Sequence, residues 1–228
     1  WKTLRYQISS GLGFVATGLP WWTYDAGGFF RPYDQYSNED YIERMIRWIQ
    51  VGTFLPMMRV HGYMSNTEPW QYGPEAQRII TEQIRLRYRL LPYIYSEASR
   101  VTTEGYTLMR PLIFDFPDDT DALKQDNEYM FGQSLLVCPV TEKGVSQWRV
   151  YLPENEGGWY DFRTGKKYGN GWSEVPVTIE DIPVFAKAGS ILPLGPVKQH
   201  AAEKSDEPLT INVYPGADAC FNLFEDDG

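Results

Sequence analysis

The residue pattern changes character once along the chain, close to Gly105, and that change bounds the folds open to it. Before it, apolar residues recur at helical spacing. Ile42, Met45, Ile46 and Ile49 stand at i, i+3, i+4 and i+7, and Ile79, Ile80, Ile84, Tyr88, Leu91 and Ile94 form a second stripe. After it, apolar runs are short and are broken by turn chemistry: Asn155-Glu-Gly-Gly158, Thr164-Gly165 and Asn170-Gly171. A first part of α/β character is therefore expected over residues 1–105, and an antiparallel all-β part after it. The 228 residues leave room for one large domain or two to three small ones.

The element boundaries follow from punctuation. Trp1, Leu4 and Ile8 keep helical spacing, and Gly11 is expected to close that helix. Gly13 to Trp22 reads as a strand buried on both faces. Ser37 or Asn38 caps the next helix, with Asp40 in its first turn and Gly52 at its end. Phe54 to His61 reads as another strand, and residues 62–73 as a polar, aromatic loop. Pro74 suits a first helical position, Pro92 is expected to kink that helix, and Gly105 to stop it. Strands are expected over 108–114, 134–140, 148–152, 175–179 and 184–194. Residues 196–208 read as a linker, with 209–214 and 220–224 as the first strands of a third unit.

Composition removes several function classes. A net charge of −9 disfavours nucleic acid, whose phosphates demand clustered Lys and Arg. No run approaches the ~18 apolar residues of a membrane span. Two histidines, His61 and His200, are too few for a multi-His metal site, and no cofactor is expected. No Gly-x-Ser-x-Gly flanks a serine. Cys138 lies in an apolar run and reads as a buried free thiol beside a separate Cys220. Aromatics are abundant, at 8 Trp, 16 Tyr and 11 Phe; flat rings with a polar edge suit sugar faces as well as cores. The chain has no initiator Met or signal peptide and reads as starting inside something longer.

Two junctions concentrate the chemistry: Trp21-Trp-Thr-Tyr-Asp25-Ala-Gly-Gly-Phe29-Phe30 and Phe54-Leu-Pro-Met-Met-Arg59-Val-His61-Gly62. Each sets polar residues at the end of an apolar run, where (β/α) barrels bind ligands. Asp25 precedes two glycines and fits either a ligand contact or a turn aspartate. Phe29 fits a sugar wall or a core aromatic. Arg59 and His61 alternate with Val60 and share a face in extended chain, as a hydroxyl-binding corner or as a buried ion pair. Glu68 fits a ligand contact or a structural hydrogen bond.

The ordered set Thr17-Gly-x-Pro20, Asp25-x-Gly-Gly-Phe29, Arg47-Trp48-x-Gln50, Phe54-x-Pro56-x-x-Arg59-x-His61, Glu68-Pro-Trp70 and Arg87-Tyr88-x-Leu90-Leu91-Pro92-Tyr93 resembles signatures of glycoside hydrolase family 31. Arg110-Pro-Leu112, Leu135-Leu-Val-x-Pro-Val140, Val150-Tyr-Leu-Pro153, Ile182-Pro-Val-Phe185 and Glu225-Asp-Asp-Gly228 continue that resemblance. It implies that 1–105 is the end of a (β/α)8 (TIM) barrel, 106–196 a proximal β-sandwich, and 197–228 a linker and the start of a distal β domain. It implies a retaining α-glycosidase acting on an oligosaccharide, together with the rest of a parent chain. The two catalytic aspartates would precede Trp1, so this chain holds no catalytic residue, and Asp25, Phe29, Arg59 and His61 match substrate-pocket positions. The Phe29–Tyr36 insertion and Val60-His-Gly-Tyr63 are more similar to the α-xylosidases than to the α-glucosidases. The isolated chain then reads as a non-catalytic structural or carbohydrate-binding module.

Overall fold

The computed structural model describes residues 1–226, so the end of the Glu225–Gly228 motif lies outside the described residues. Helix α1 runs over Lys2–Ala16 and buries Leu4, Ile8, Leu12 and Val15. It does not end at Gly11. A Cβ there would stand 2.4 Å from the Trp22 indole nitrogen, so the glycine is the gap through which Trp22 crosses the helix. The expected strand from Gly13 is corrected accordingly: residues 13–16 complete α1, and 17–22 are irregular.

The strand expected over Phe54–His61 is corrected as well, since it runs as turn and irregular chain. The reason lies in pairing. Among the described residues, Met57 N–H to Trp22 O (3.4 Å), Ala26 N–H to Arg59 O (3.3 Å) and Tyr63 N–H to Phe29 O (2.7 Å) are the backbone bonds between residues 17–30 and 54–63, too sparse for a ladder.

The other helices follow their punctuation. Helix α2 (Glu39–Thr53) starts at Asn38, whose side chain accepts from the Tyr41 N–H at 3.2 Å. Helix α3 (Pro74–Arg89) begins on its proline, and α4 (Leu91–Glu104) ends on a left-handed Gly105. The expected kink is a full break at Leu90, because Pro92 has no N–H to continue the helical ladder.

Among the described residues the second part holds ten strands: β1 Met109–Pro111, β2 Tyr129–Phe131, β3 Leu135–Val137, β4 Gln147–Leu152, β5 Trp159–Asp161, β6 Lys167–Tyr168, β7 Gly171–Pro176, β8 Val184–Lys187, β9 Ser190–Leu194 and β10 Thr210–Tyr214. Six form an antiparallel sheet in the order β1-β2-β3-β8-β5-β6, while β4 pairs with β7 and β9 with β10. Residues 184–194 divide at Gly189 (φ 79°), so the single expected strand is two. Residues 112–114 turn into a short 3-10 helix, and 220–224 form no strand. Phe221 of that last segment stacks on Tyr93 of α4 at 5.6 Å. Cys138 is a fully buried free thiol, as its apolar run implies.

Side-chain alternation explains the layering. Tyr129, Phe131, Leu135, Val137, Val184 and Ala186 join the core formed with the helices. Met130, Leu136, Cys138 and Phe185, one residue out of step, join a second core with Val150 and Val175 of β4 and β7. The central strands β2, β3 and β8 are thus covered on both faces, which is why they are apolar at nearly every position. Buried polar groups stitch the first part to the second. The Arg47 guanidinium donates to Thr178 O (3.1 Å) and Asp181 O, and Gln50 Nε2 to Ile179 O (2.8 Å). Tyr129 donates to Phe54 O and Tyr93 to Phe131 O.

Candidate functional site

The C-terminal half of the first junction is fixed by the helix that follows it. The Tyr24 ring is buried edge-on against Trp48, and its hydroxyl donates to Trp48 O at 2.8 Å. Gly27 and Gly28 both adopt positive φ, 87° and 88°, so the chain doubles back directly after Asp25. Tyr41 of α2 donates to Gly27 O at 2.8 Å, and a Cβ on Gly27 would lie 2.5 Å from the Met45 sulfur. Only glycine meets both demands at that position.

The second junction docks alongside. Tyr63 N–H donates to Phe29 O at 2.7 Å, and Val60 packs on the helical core. Alternation then leaves Arg59 and His61 on the outer side, as the sequence spacing implies. Arg59 Nε meets Asp25 Oδ1 at 2.8 Å. The guanidinium is half exposed and the carboxylate less so, at 50% and 23%; water screening leaves such a pair ~0–1 kcal/mol, so its effect is orientation. Phe29 and His61 rings lie 5.5 Å apart. All four expected residues therefore sit in one cluster. Phe30 and Tyr63 extend it, at 4.9 and 5.9 Å from the Phe29 ring, and both are exposed. Glu68 leads instead into the 3-10 turn Pro69–Tyr72, with Oε2 buried and without a hydrogen-bond partner among the described residues.

Arg31 is the residue that the sequence pattern did not single out. Its Nη2 donates to Ala26 O (2.8 Å) and His61 O (3.0 Å), its Nε to Gly28 O (3.0 Å), and its Nη1 to the Tyr72 hydroxyl (2.8 Å). An arginine between aromatic and proline residues carries no spacing signal. The bonds join segments 30 residues apart and exist only after folding. Burial raises the Tyr41 and Tyr72 phenols above their usual range, so both remain protonated.

The cluster offers a carboxylate, a guanidinium and an imidazole beside exposed aromatic rings. That set suits a neutral polyhydroxylated ligand, with charged groups for hydroxyls and rings for C–H faces. A separate cleft of about 410 Å3 lies between the two parts, lined by Phe54, Arg89, Asp161, Lys166 and Asp181 among others, and shares none of these site residues. Among the described residues, no group of three or more His, Cys, Asp or Glu is placed to hold a metal ion.

Residues 1–97 match the glycosyl hydrolases family 31 TIM-barrel domain, and residues 105–192 match the glycosyl hydrolase family 31 C-terminal domain. Over all of its length the chain is 45% identical to an alpha-xylosidase of Saccharolobus solfataricus and 34% identical to neutral alpha-glucosidase C of Mus musculus. It spans 31% of the first protein and 25% of the second. A GH31 alpha-xylosidase from Xanthomonas citri superposes with a TM-score of 0.92 at 39% identity, covering 98% of this chain and 25% of that one. A GH31 dextranase of Flavobacterium johnsoniae complexed with isomaltotriose also gives 0.92, at 37% identity, over 100% of this chain and 28% of that one.

Proposed function

Because the chain belongs to glycosyl hydrolase family 31, we propose that its parent protein is a retaining α-glycosidase. The substrate is a terminal α-xylosyl unit of an oligosaccharide, with α-glucosyl as the second choice. In this reading residues 1–105 close a (β/α)8 barrel, 106–196 form a β-sandwich that buttresses it, and 197–228 lead into a distal β domain. The observation that carries the proposal is the single cluster of Asp25, Arg59, His61 and Phe29, gathered from two junctions on one exposed surface.

The chemistry divides between this chain and the remainder of the parent. Two aspartates on the remainder would flank the scissile bond ~5–5.5 Å apart, one as nucleophile and the other as acid and then base. This chain holds the sugar against them. His61 hydrogen-bonds ring hydroxyls, Asp25 and its partner Arg59 form the floor, and Phe29 forms a wall. These groups act by fixing geometry; each good polar contact to a substrate hydroxyl discriminates strongly against an analogue that lacks it. The xylosyl preference rests on bulk, because rings that fill the space of a hydroxymethyl group disfavour glucose by ~1–3 kcal/mol. The higher identity to an alpha-xylosidase, 45% against 34%, supports that order.

The test is the full-length parent on isoprimeverose and on maltose. Cleavage of the first in preference to the second is expected. A folded parent that cleaves neither overturns the proposal.

A further inference from the structure

We infer that Arg31 is the positioning residue that locks the sugar-binding groups in register, a role that rests on the proposed function for its substrate but not for its geometry. One guanidinium donates to four acceptors: Ala26 O and Gly28 O from the first junction, His61 O from the second, and the hydroxyl of Tyr72 from the turn beyond. Two of the acceptors flank Gly27 and one belongs to His61 itself, so the same planar group sets the path of both segments that carry Asp25, Phe29, Arg59 and His61.

The surroundings are shaped to admit that group. A Cβ on Gly62 would stand 2.8 Å from Arg31 Nε and 2.9 Å from its Cζ, so the glycine after His61 leaves the space the guanidinium fills. Tyr72, which accepts from Nη1, lies 3.5 Å from Gln35 Oε1, and Gln35 Nε2 reaches Ser65 Oγ at 3.2 Å, tying in the far end of the second loop. A lysine at position 31 has one charged nitrogen and cannot address acceptors on three sides with a fixed fork. A displacement of about 1 Å in a substrate-holding group can cost ~10²-fold in rate, so a residue that touches no substrate can still control turnover.

The experiment compares Arg31→Lys and Arg31→Ala in the full-length parent by two measurements. Hydrogen exchange reports the Tyr63 and Ala26 amides, and steady-state kinetics on a nitrophenyl α-xyloside reports kcat and KM per folded molecule. Faster exchange at both amides is expected, with kcat/KM down about 10²-fold in both variants. Added guanidine is expected to restore the Ala variant at least tenfold and leave the Lys variant unchanged, a response that loss of general stability would not give. If the Ala variant fails to fold, the Lys variant carries the test. Wild-type exchange, or wild-type kcat/KM, in a folded variant overturns the inference. A wild-type parent that cleaves no α-glycoside removes the proposed function, and the exchange measurement alone then decides whether Arg31 locks the two loops.

Discussion

At the residue scale the site is a set of short-range bonds with separable roles. His61 is an exposed imidazole whose backbone carbonyl, not its ring, is engaged by Arg31. His61→Ala in the parent is therefore expected to leave the melting temperature nearly unchanged and to lower kcat/KM by ~10–100-fold, the loss of one or two hydroxyl contacts at ~1–3 kcal/mol. Thermal unfolding and steady-state kinetics on the same preparation check it. Glu128 behaves differently. It accepts the Tyr151 N–H at 3.0 Å in the interior, and burial pushes its pKa up to about 8. Its folded pKa lies above the unfolded value, so the stability it contributes is present below the usual carboxylate range and is lost as pH rises through about 8. Glu128→Gln is expected to flatten the fall in melting temperature between pH 5 and 8, measured by differential scanning calorimetry across that range.

At the scale of elements, local signals and tertiary contacts compete, and the winner can be named. Asn38, Pro74 and Gly105 were legible as helix punctuation because each acts through its own backbone or nearest neighbours. Gly11 was not, because its reason is Trp22, a residue outside its helix. Alanine is the better helix former by ~1 kcal/mol, yet Gly11→Ala places a carbon 2.4 Å from the indole, and Trp22 would have to move. The substitution is expected to destabilise the chain by ~1–3 kcal/mol, read as a lower urea midpoint at unchanged slope. A gain in stability would show that Trp22 moves aside at no cost. Five strands, β1, β2, β3, β5 and β6, carry only two or three residues each, below the length at which alternation shows; β1 and β3 were legible because they lie inside longer apolar runs, 108–114 and 134–140, whereas β2, β5 and β6 were not.

At the scale of the molecule, the core ignores the change of pattern at Gly105. Leu4, Ile8, Ile49 and Phe54 share one apolar cluster with Phe131, Leu135 and Ala186, and Arg47 and Gln50 donate to carbonyls at 178–181. Residues 1–105 alone would expose that face and strand those buried donors. They are expected to show no cooperative unfolding transition by circular dichroism and poor amide dispersion. A sharp transition from the isolated segment would count against this dependence. β10 also returns to β9, with Tyr214 opposite Ser190, so the chain after the irregular 196–208 stretch packs against what precedes it.

The amino-acid sequence by itself determined the helix boundaries at Asn38, Pro74 and Gly105, the strand-rich character of the chain after Gly105 and the buried thiol at Cys138, and it singled out Asp25, Phe29, Arg59 and His61, which the fold brings together. Each of these depends on residue type, charge or spacing within a few positions. The family's ordered motifs were equally readable, since they are strings of residues. Tertiary structure alone decided that residues 13–16 are helical, that two expected strands have no ladder, and that Arg31 binds both loops. Those outcomes are set by groups that meet only after the chain has folded: an indole against a glycine, a guanidinium among carbonyls up to 30 residues away. Spacing encodes which face a side chain takes; it does not encode what arrives to meet it.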